Sequence, residues 1–266
     1  MTYFRRGHIT RVFDMKDQHH VNQQQYQDKS KVYFNSDVHA QGIEFQKMQH
    51  LIQNQQLKKV LDLGCGGGHV TYQIAPYVDE VTAYDLTPSM VELVAEQAKV
   101  KGFENVQTQQ GAAECLPFAD QSFDAVITRY SAHHWQNVTQ AMREIHRVLA
   151  QNGKVIIVDI LGHANPILDT FFQTIETIRD PSHVRDYSVQ EWAKFAEYAG
   201  FKIEIIEKQH LDLDFQSWTE WMQTSEYAVE TIRYLQNQVS DQVWQYYQIQ
   251  EDGSFCSEVL WMVLSK

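Results

Sequence analysis

The stretch "VLDLGCGGGH", Val60 to His69, places glycines at 64, 66, 67 and 68 directly behind a short apolar run and ahead of a helix-like pattern. Glycine is required where a chain turns sharply or where backbone must lie close against a ligand. A second apolar run, "EVTAYDL", ends in Asp85. A carboxylate about 20 residues beyond such a loop can accept both hydroxyls of a ribose. Either feature alone fits a tight turn or a helix cap; in this order and spacing they describe a nucleoside site. The pattern is Asp-x-Gly-x-Gly-x-Gly, starting at Asp62. It fits a dinucleotide fingerprint poorly, because His69 stands where the third glycine belongs, and it lacks the Lys-Ser/Thr of a phosphate-gripping P-loop.

The stretch "RYSAHHW", Arg129 to Trp135, concentrates further chemistry behind the apolar run "FDAVIT". Adjacent histidines point apart, and no HExxH or HxH partner set lies near them, so metal ligation is disfavoured. Proton transfer by His133 or His134 fits the ordinary histidine range. The alternative is that one ring lines a pocket while the other fixes the loop through backbone. Arg129 at a strand end suits a carboxylate ligand, or an ion pair with an acid such as Asp124. Tyr130 either contacts a ligand or packs.

The elements that must carry these residues alternate regularly. "KKVLDLG", "EVTAYDL", "NVQTQQG", "SFDAVITRY", "KVIIVDIL" and "KIEIIEKQHLDL" read as strands one to six, and "FCSEVLWMVLSK" as the last. Helical patterns separate the early ones: "GGGHVTYQIAPY"; "TPSMVELVAEQAKVKG", with Thr87 as cap, Pro88 in its first turn and Gly102 at its end; and "NVTQAMREIHRVLAQNG", ending at Asn152-Gly153. Strands alternating with helices imply a parallel sheet covered on both faces. Residues 1–35 read as a polar arm, followed by one domain over 36–266 with a helix from Ser36 to about Ile52. Insertions at about 162–187 and 214–247 form a helical cap. The second is rich in aromatics: Phe215, Trp218, Trp221, Tyr227, Tyr234, Trp244, Tyr246 and Tyr247. Such residues are more often cap core than substrate cage, although a few facing inward would make an apolar or aromatic pocket.

With 43% hydrophobic and 21% charged residues, the chain has the composition of a globular protein rather than a disordered one. Its formal charge of −12 repels phosphate backbones, which argues against nucleic acid as partner. No apolar run approaches the roughly 18 residues of a membrane span. The N-terminus lacks the apolar region of a signal peptide. Cys65, Cys115 and Cys256 are scattered and odd in number, so a reducing cytoplasm is the expected location.

Taken together, "VLDLGCGGGH", "VTAYDLTPSM", "GAAECLPFADQSFDAVITRYSAHHW", "AMREIHRVLAQNGKVIIVD" and "RDPSHVRDYSVQEW" resemble the class I S-adenosylmethionine-dependent methyltransferases. The likeness is to the ubiquinone-biosynthesis-methyltransferase-like group, and within it to the YcgJ/YafE-type bacterial proteins. The resemblance covers about residues 35–266. It implies an α/β, doubly wound, Rossmann-like seven-stranded sheet with the last strand antiparallel. It also implies S-adenosyl-L-methionine as methyl donor and S-adenosyl-L-homocysteine as product. Gly64, Cys65 and Gly66 would approach the methionine part, with Asp62 orienting the loop. Asp85 would hold the ribose, Leu86 and Met90 would flank adenine, and Ala112, Ala113 and Glu114 would meet its edge. Many relatives carry Asp where this chain has Ala112, so that adenine contact must come from elsewhere.

Methyl transfer from a sulfonium is an in-line displacement, in which alignment and exclusion of water dominate. A base helps only if the nucleophile carries a proton to lose. The expected catalytic candidates are His133, His134 and Arg129. Arg129 and Tyr130, with Tyr33 and His39 as a lid, are expected near the cofactor; His134, His183 and Arg185 are expected near the substrate, with a helix-capping role as the alternative for His183. The expected function is methylation of a small organic acceptor, with an apolar ring favoured, by a monomer or homodimer without a bound metal. A nicotinamide-dependent oxidoreductase and a non-catalytic cofactor-binding protein are the competing classes.

Overall fold

A computed structural model describes residues 16–27 and 42–266. Its centre is a seven-stranded sheet: β1 (Lys59–Leu63), β2 (Glu80–Asp85), β3 (Val106–Gln110), β4 (Phe123–Arg129), β5 (Leu149–Ile160), β6 (Lys202–Leu213) and β7 (Phe255–Ser265). The order across the sheet is β3-β2-β1-β4-β5-β7-β6. The strands from β3 to β5 pair in parallel, and β7 inserts antiparallel between β5 and β6. The order reverses between β1 and β4, and at such a switch point the carboxyl ends of the strands open a crevice.

Side-chain alternation assigns the two faces. Leu61 and Leu63 of β1, Val126 of β4 and Val155 and Ile157 of β5 belong to one buried cluster. Val60, Ala125, Ile127, Ile156 and Val158 belong to the other. Because alternate residues share a face, Arg129 continues the row of Ala125 and Ile127, whereas Asp159 continues the row of Val155 and Ile157. Two polar groups at neighbouring strand ends are therefore sent to opposite sides of the sheet.

Among the described residues, ten α-helices accompany the sheet: α1 (Gln18–Tyr26), α2 (Ile43–Gln55), α3 (His69–Ile74), α4 (Pro88–Val100), α5 (Val138–Val148), α6 (Pro166–Arg179), α7 (Val189–Ala199), α8 (Phe215–Trp221), α9 (Glu226–Gln236) and α10 (Asp241–Tyr246). None is long and apolar enough to cross a membrane. Helix α2 lays Phe45, Met48 and Ile52 on the Arg129 side of the sheet. The expected cap Ser36 lies outside the described residues. Gln18–Tyr26, within the polar arm, is helical, with Asp17 capping it and Asn22 and Tyr26 buried.

Three local expectations need correction. The helix drawn to Asn152-Gly153 ends at Val148, and its last residues join β5. Leu149 is already extended and fully buried, so core burial overrides the Asn-Gly stop signal. Thr87 precedes α4 but makes no side-chain cap; its own N–H donates to Asp85 Oδ1 at 2.8 Å. His183 caps no helix, because its ring meets the Gln173 side chain at 3.0 Å.

A third core lies among the helices, in which Phe171, Phe172 and Ile175 of α6 pack with Phe215, Trp218, Ile232 and Tyr247. Tyr227, Tyr234 and Trp244 stay exposed.

Candidate functional site

The carboxyl ends of β1, β2, β4 and β5 and helices α1, α6 and α8 surround one cavity. Asp62, Gly64, Cys65, Gly66, Asp85, Leu86, Met90, Ala112, Ala113, Glu114, Arg129, Tyr130, His133 and His134 all line it. His183 and Arg185 do not. Arg185 is held outside by Asp169 and Glu191, each at 3.0 Å. Tyr33 and His39 lie outside the described residues.

The glycine loop owes its shape to its neighbours. Gly64 has φ +77°, and a Cβ there would fall 1.9 Å from Ser131 Oγ, so only glycine admits the β4 loop this close. Gly66 has φ +48° with nothing within 4 Å of a would-be Cβ. Its backbone is open toward the cavity. Asp85 Oδ2 accepts the Gly66 N–H at 2.9 Å while Oδ1 accepts that of Thr87. Asp85 thus ties the loop to the end of β2, and burial raises its pKa against these bonds. Asp62 accepts the Thr71 N–H at 3.0 Å and its hydroxyl at 2.6 Å, fixing the first turn of α3 behind the loop. Burial outweighs these bonds and pushes Asp62 up to about 7.

Arg129 does not pair with Asp124. That carboxylate accepts the Lys58 and Lys59 backbone N–H groups. Face alternation sends Arg129 toward α2, where its Nε and an Nη meet Glu44 Oε1 at 3.0 and 2.8 Å. Its guanidinium carbon lies 4.6 Å from the Phe45 ring centre and 4.5 Å from that of Tyr130. Tyr130 itself is in the left-handed region, φ +51°. A non-glycine residue held there stores strain, a recurrent feature of functional sites.

The histidine pair sits on the other side. His133 Nδ1 meets Asp159 Oδ1 at 2.5 Å, and its backbone N–H donates to Asp159 Oδ2 at 3.2 Å. Burial alone would lower this histidine, but the charge and hydrogen bond of Asp159 outweigh it and raise the pKa to about 9. His133 is therefore an imidazolium at neutral pH. His134 stands 4.1 Å from it, ring centre to ring centre. Burial and that neighbouring charge lower His134 to about 4, leaving it neutral. Its Nε2 lies 2.8 Å from Tyr26 Oη and its Nδ1 3.2 Å from the Ser182 carbonyl. Both rings line the cavity and both are anchored, so a division into one pocket ring and one loop-fixing ring does not hold.

Sequence reading missed Tyr26, Glu44, Thr71, Asp159, Glu176, Asp180 and Asp186. Asp159 carried a signal, being a lone acid inside the apolar run "VIIVDIL". The remainder come from helices and loops whose approach to the strand ends is set by packing.

The region 61–157 matches the "Methyltransferase domain" family model. The YafE protein of Escherichia coli (strain K12) is 41% identical over 74% of this chain and 95% of its own length. A demethylmenaquinone methyltransferase from Lactobacillus johnsonii is 30% identical over 57% of this chain and 70% of its own. The crystal structure of the Bacillus subtilis YcgJ protein superposes with a TM-score of 0.78 at 35% identity, covering 83% of this chain and 98% of that one. On these likenesses the chain belongs to the class I S-adenosylmethionine-dependent methyltransferases of the YcgJ/YafE type.

Proposed function

We propose that this protein transfers a methyl group from S-adenosyl-L-methionine to a small organic acceptor built on an apolar or aromatic ring. The observation that carries the reading is one cavity lined by the open Gly66 backbone, by Asp85 and, toward the cap, by Leu213, Trp218, Trp221 and Met222. The kinship to a demethylmenaquinone methyltransferase supports a ring acceptor.

The residues present suit the donor. Gly64, Cys65 and Gly66 would hold its amino-acid end through backbone. Asp85 would take the ribose hydroxyls on lone pairs left by Gly66 and Thr87. Leu86 and Met90 would flank the base, and the 112–114 turn would meet its edge. When bound, the sulfonium supplies an electrophilic methyl. The chain's own part is to align the acceptor and keep water out, which for well-aligned reactants removes about 7–11 kcal/mol of barrier. Arg129, spent on Glu44, acts here as a positioning residue that holds α2 and Tyr130 at the cavity wall.

Labelled S-adenosylmethionine incubated with metabolite extracts, followed by mass identification of the product, tests the reading. Calorimetry with S-adenosylhomocysteine tests the site: Asp85→Ala should weaken binding at least tenfold. Unchanged affinity refutes the assignment, and tight NADH binding without S-adenosylhomocysteine binding replaces it with an oxidoreductase.

A further inference from the structure

Tyr26 comes from α1, far from the motifs in sequence, yet its hydroxyl sits between His134 Nε2 at 2.8 Å and Asp180 Oδ2 at 3.1 Å. Tyr26 and His134 line the cavity, and Asp180 is 1% exposed. Helix α1 is fixed at both ends of this span. Gln23 donates to the Leu86 carbonyl at 3.0 Å, and Gln18 to the Ser182 carbonyl at 2.9 Å.

Counting hydrogens shows what the arrangement does. The Ser182 hydroxyl is committed to Asp180 Oδ1 at 2.6 Å. His134 Nδ1 therefore faces only acceptors, the Ser182 carbonyl and the spent Ser182 oxygen, and must carry a hydrogen. In neutral His134, Nε2 is then bare and draws the Tyr26 hydrogen, leaving Asp180 Oδ2 without one. If the Tyr26 hydrogen turns to Asp180 instead, Nε2 needs a proton of its own. The second state is an imidazolium 3.9 Å from the Asp180 carboxylate. The two states differ by one proton, and the cavity is where a bound molecule can supply it.

We propose that Tyr26, His134 and Asp180 form a proton relay that deprotonates the methyl acceptor, which carries a hydroxyl on its ring. This rests on the methyltransferase reading above. The acceptor O–H breaks and leaves its electron pair on the acceptor. That proton passes to Tyr26 Oη as the Tyr26 proton moves to His134 Nε2, and Tyr26 turns to donate to Asp180. Tyr26 is neutral before and after, while His134 gains the charge. The proton returns to solvent when the product leaves.

The groups around His134 fit this task. Burial and the charge of His133, held as imidazolium by Asp159, disfavour a resting positive charge on His134. Asp180 offsets part of that effect, while Glu176 is occupied by Arg179 at 2.6 Å. The His183 ring is held neutral by burial beside the same histidines. His134 thus rests neutral with Nε2 unprotonated, and it is Asp180, 3.9 Å from Nε2, that offsets the charge once a proton arrives there.

The test uses the full chain and Tyr26→Phe, which removes one hydroxyl. Histidine nitrogen NMR from pH 4 to 8 reads the ring: His134 should be neutral with hydrogen on Nδ1 at pH 7, and Tyr26→Phe should shift its hydrogen balance toward Nε2. Turnover is read as tritiated methyl passed from S-adenosylmethionine to a solvent extract of bacterial cells. Tyr26→Phe should lower it by about 10²-fold, within the range of a general base, and remove the acid limb of the pH profile. S-adenosylhomocysteine affinity should stay within twofold. Tyr26→Phe turnover and pH profile matching the parent, with donor-site binding intact, would overturn the relay alone. Failure of the parent chain to bind S-adenosylhomocysteine would overturn the methyltransferase reading itself. Asp180→Asn, checked for its melting temperature, gives the second arm and should also slow turnover.

Discussion

Removing Glu44 should damage this protein more than removing both Glu44 and Arg129. The side chains of this pair are 6% and 5% exposed, and two guanidinium nitrogens converge on one carboxylate oxygen. Breaking a buried pair from one side costs about 3–5 kcal/mol, whereas replacing both partners with apolar groups is often close to neutral. Part of the guanidinium's environment survives in Glu44→Leu, because Phe45 and Tyr130 still flank it at 4.6 and 4.5 Å. Such contacts return roughly 0.5–2 kcal/mol. Glu44→Leu should therefore cost about 1–4.5 kcal/mol, a melting shift of about 2–18 °C at 2–4 °C per kcal/mol. Arg129→Met leaves the carboxylate alone and should cost about 3–5 kcal/mol. The double variant should be more stable than either single one. Urea unfolding of the four proteins, read by tryptophan fluorescence, gives the cycle. Singles that each cost under about 1 kcal/mol, or costs that simply add, would refute a buried, mutually dependent pair.

The His133–Asp159 contact carries a signed pH dependence. His133 is raised from 6.5 to about 9 in the folded protein, so its contribution is complete below pH 6.5 and is lost as pH rises through 9. Asp159→Asn should abolish that slope, as stability curves at pH 6, 8 and 9.5 would show. Asp62 is also raised, from 3.8 to about 7, so the native state loses stability as pH climbs toward 7. Asp62→Asn keeps an acceptor for Thr71 and should flatten stability between pH 4 and 7 in the same assay. Gly64→Ala meets both a left-handed backbone and the Ser131 hydroxyl. It should cost at least 1–2 kcal/mol for the backbone alone, and adding Ser131→Gly should recover the clash but not the backbone penalty, which a pair of melting curves separates.

Local chemistry made much of this site legible in advance. A glycine loop between an apolar run and a helix, followed by a strand ending in Asp85, needs no knowledge of distant residues, because turn geometry and strand period are short-range. The same holds for the alternation that produced the sheet, and for the expectation that most of the aromatics after residue 214 pack as core, as Phe215 and Tyr247 do. The end of α5 was misjudged where Asn152-Gly153 signalled a stop, because buried Leu149 drew the chain into β5 four residues sooner.

What the sequence by itself determined is the order of strands and helices, the cofactor-type loop and the residue types available at the strand ends. Only the tertiary structure decided which charge met which. Arg129 and Asp159 stand at adjacent strand ends, but strand alternation sends one beneath α2 to Glu44 and the other toward His133. Tyr26 and Asp180 are separated by 154 residues and meet because α1 docks across the mouth of the cavity. Ionisation followed from that packing: the neighbours His133 and His134 are pushed to about 9 and about 4, in opposite directions, by a carboxylate that touches one ring and by burial beside the charge of the other.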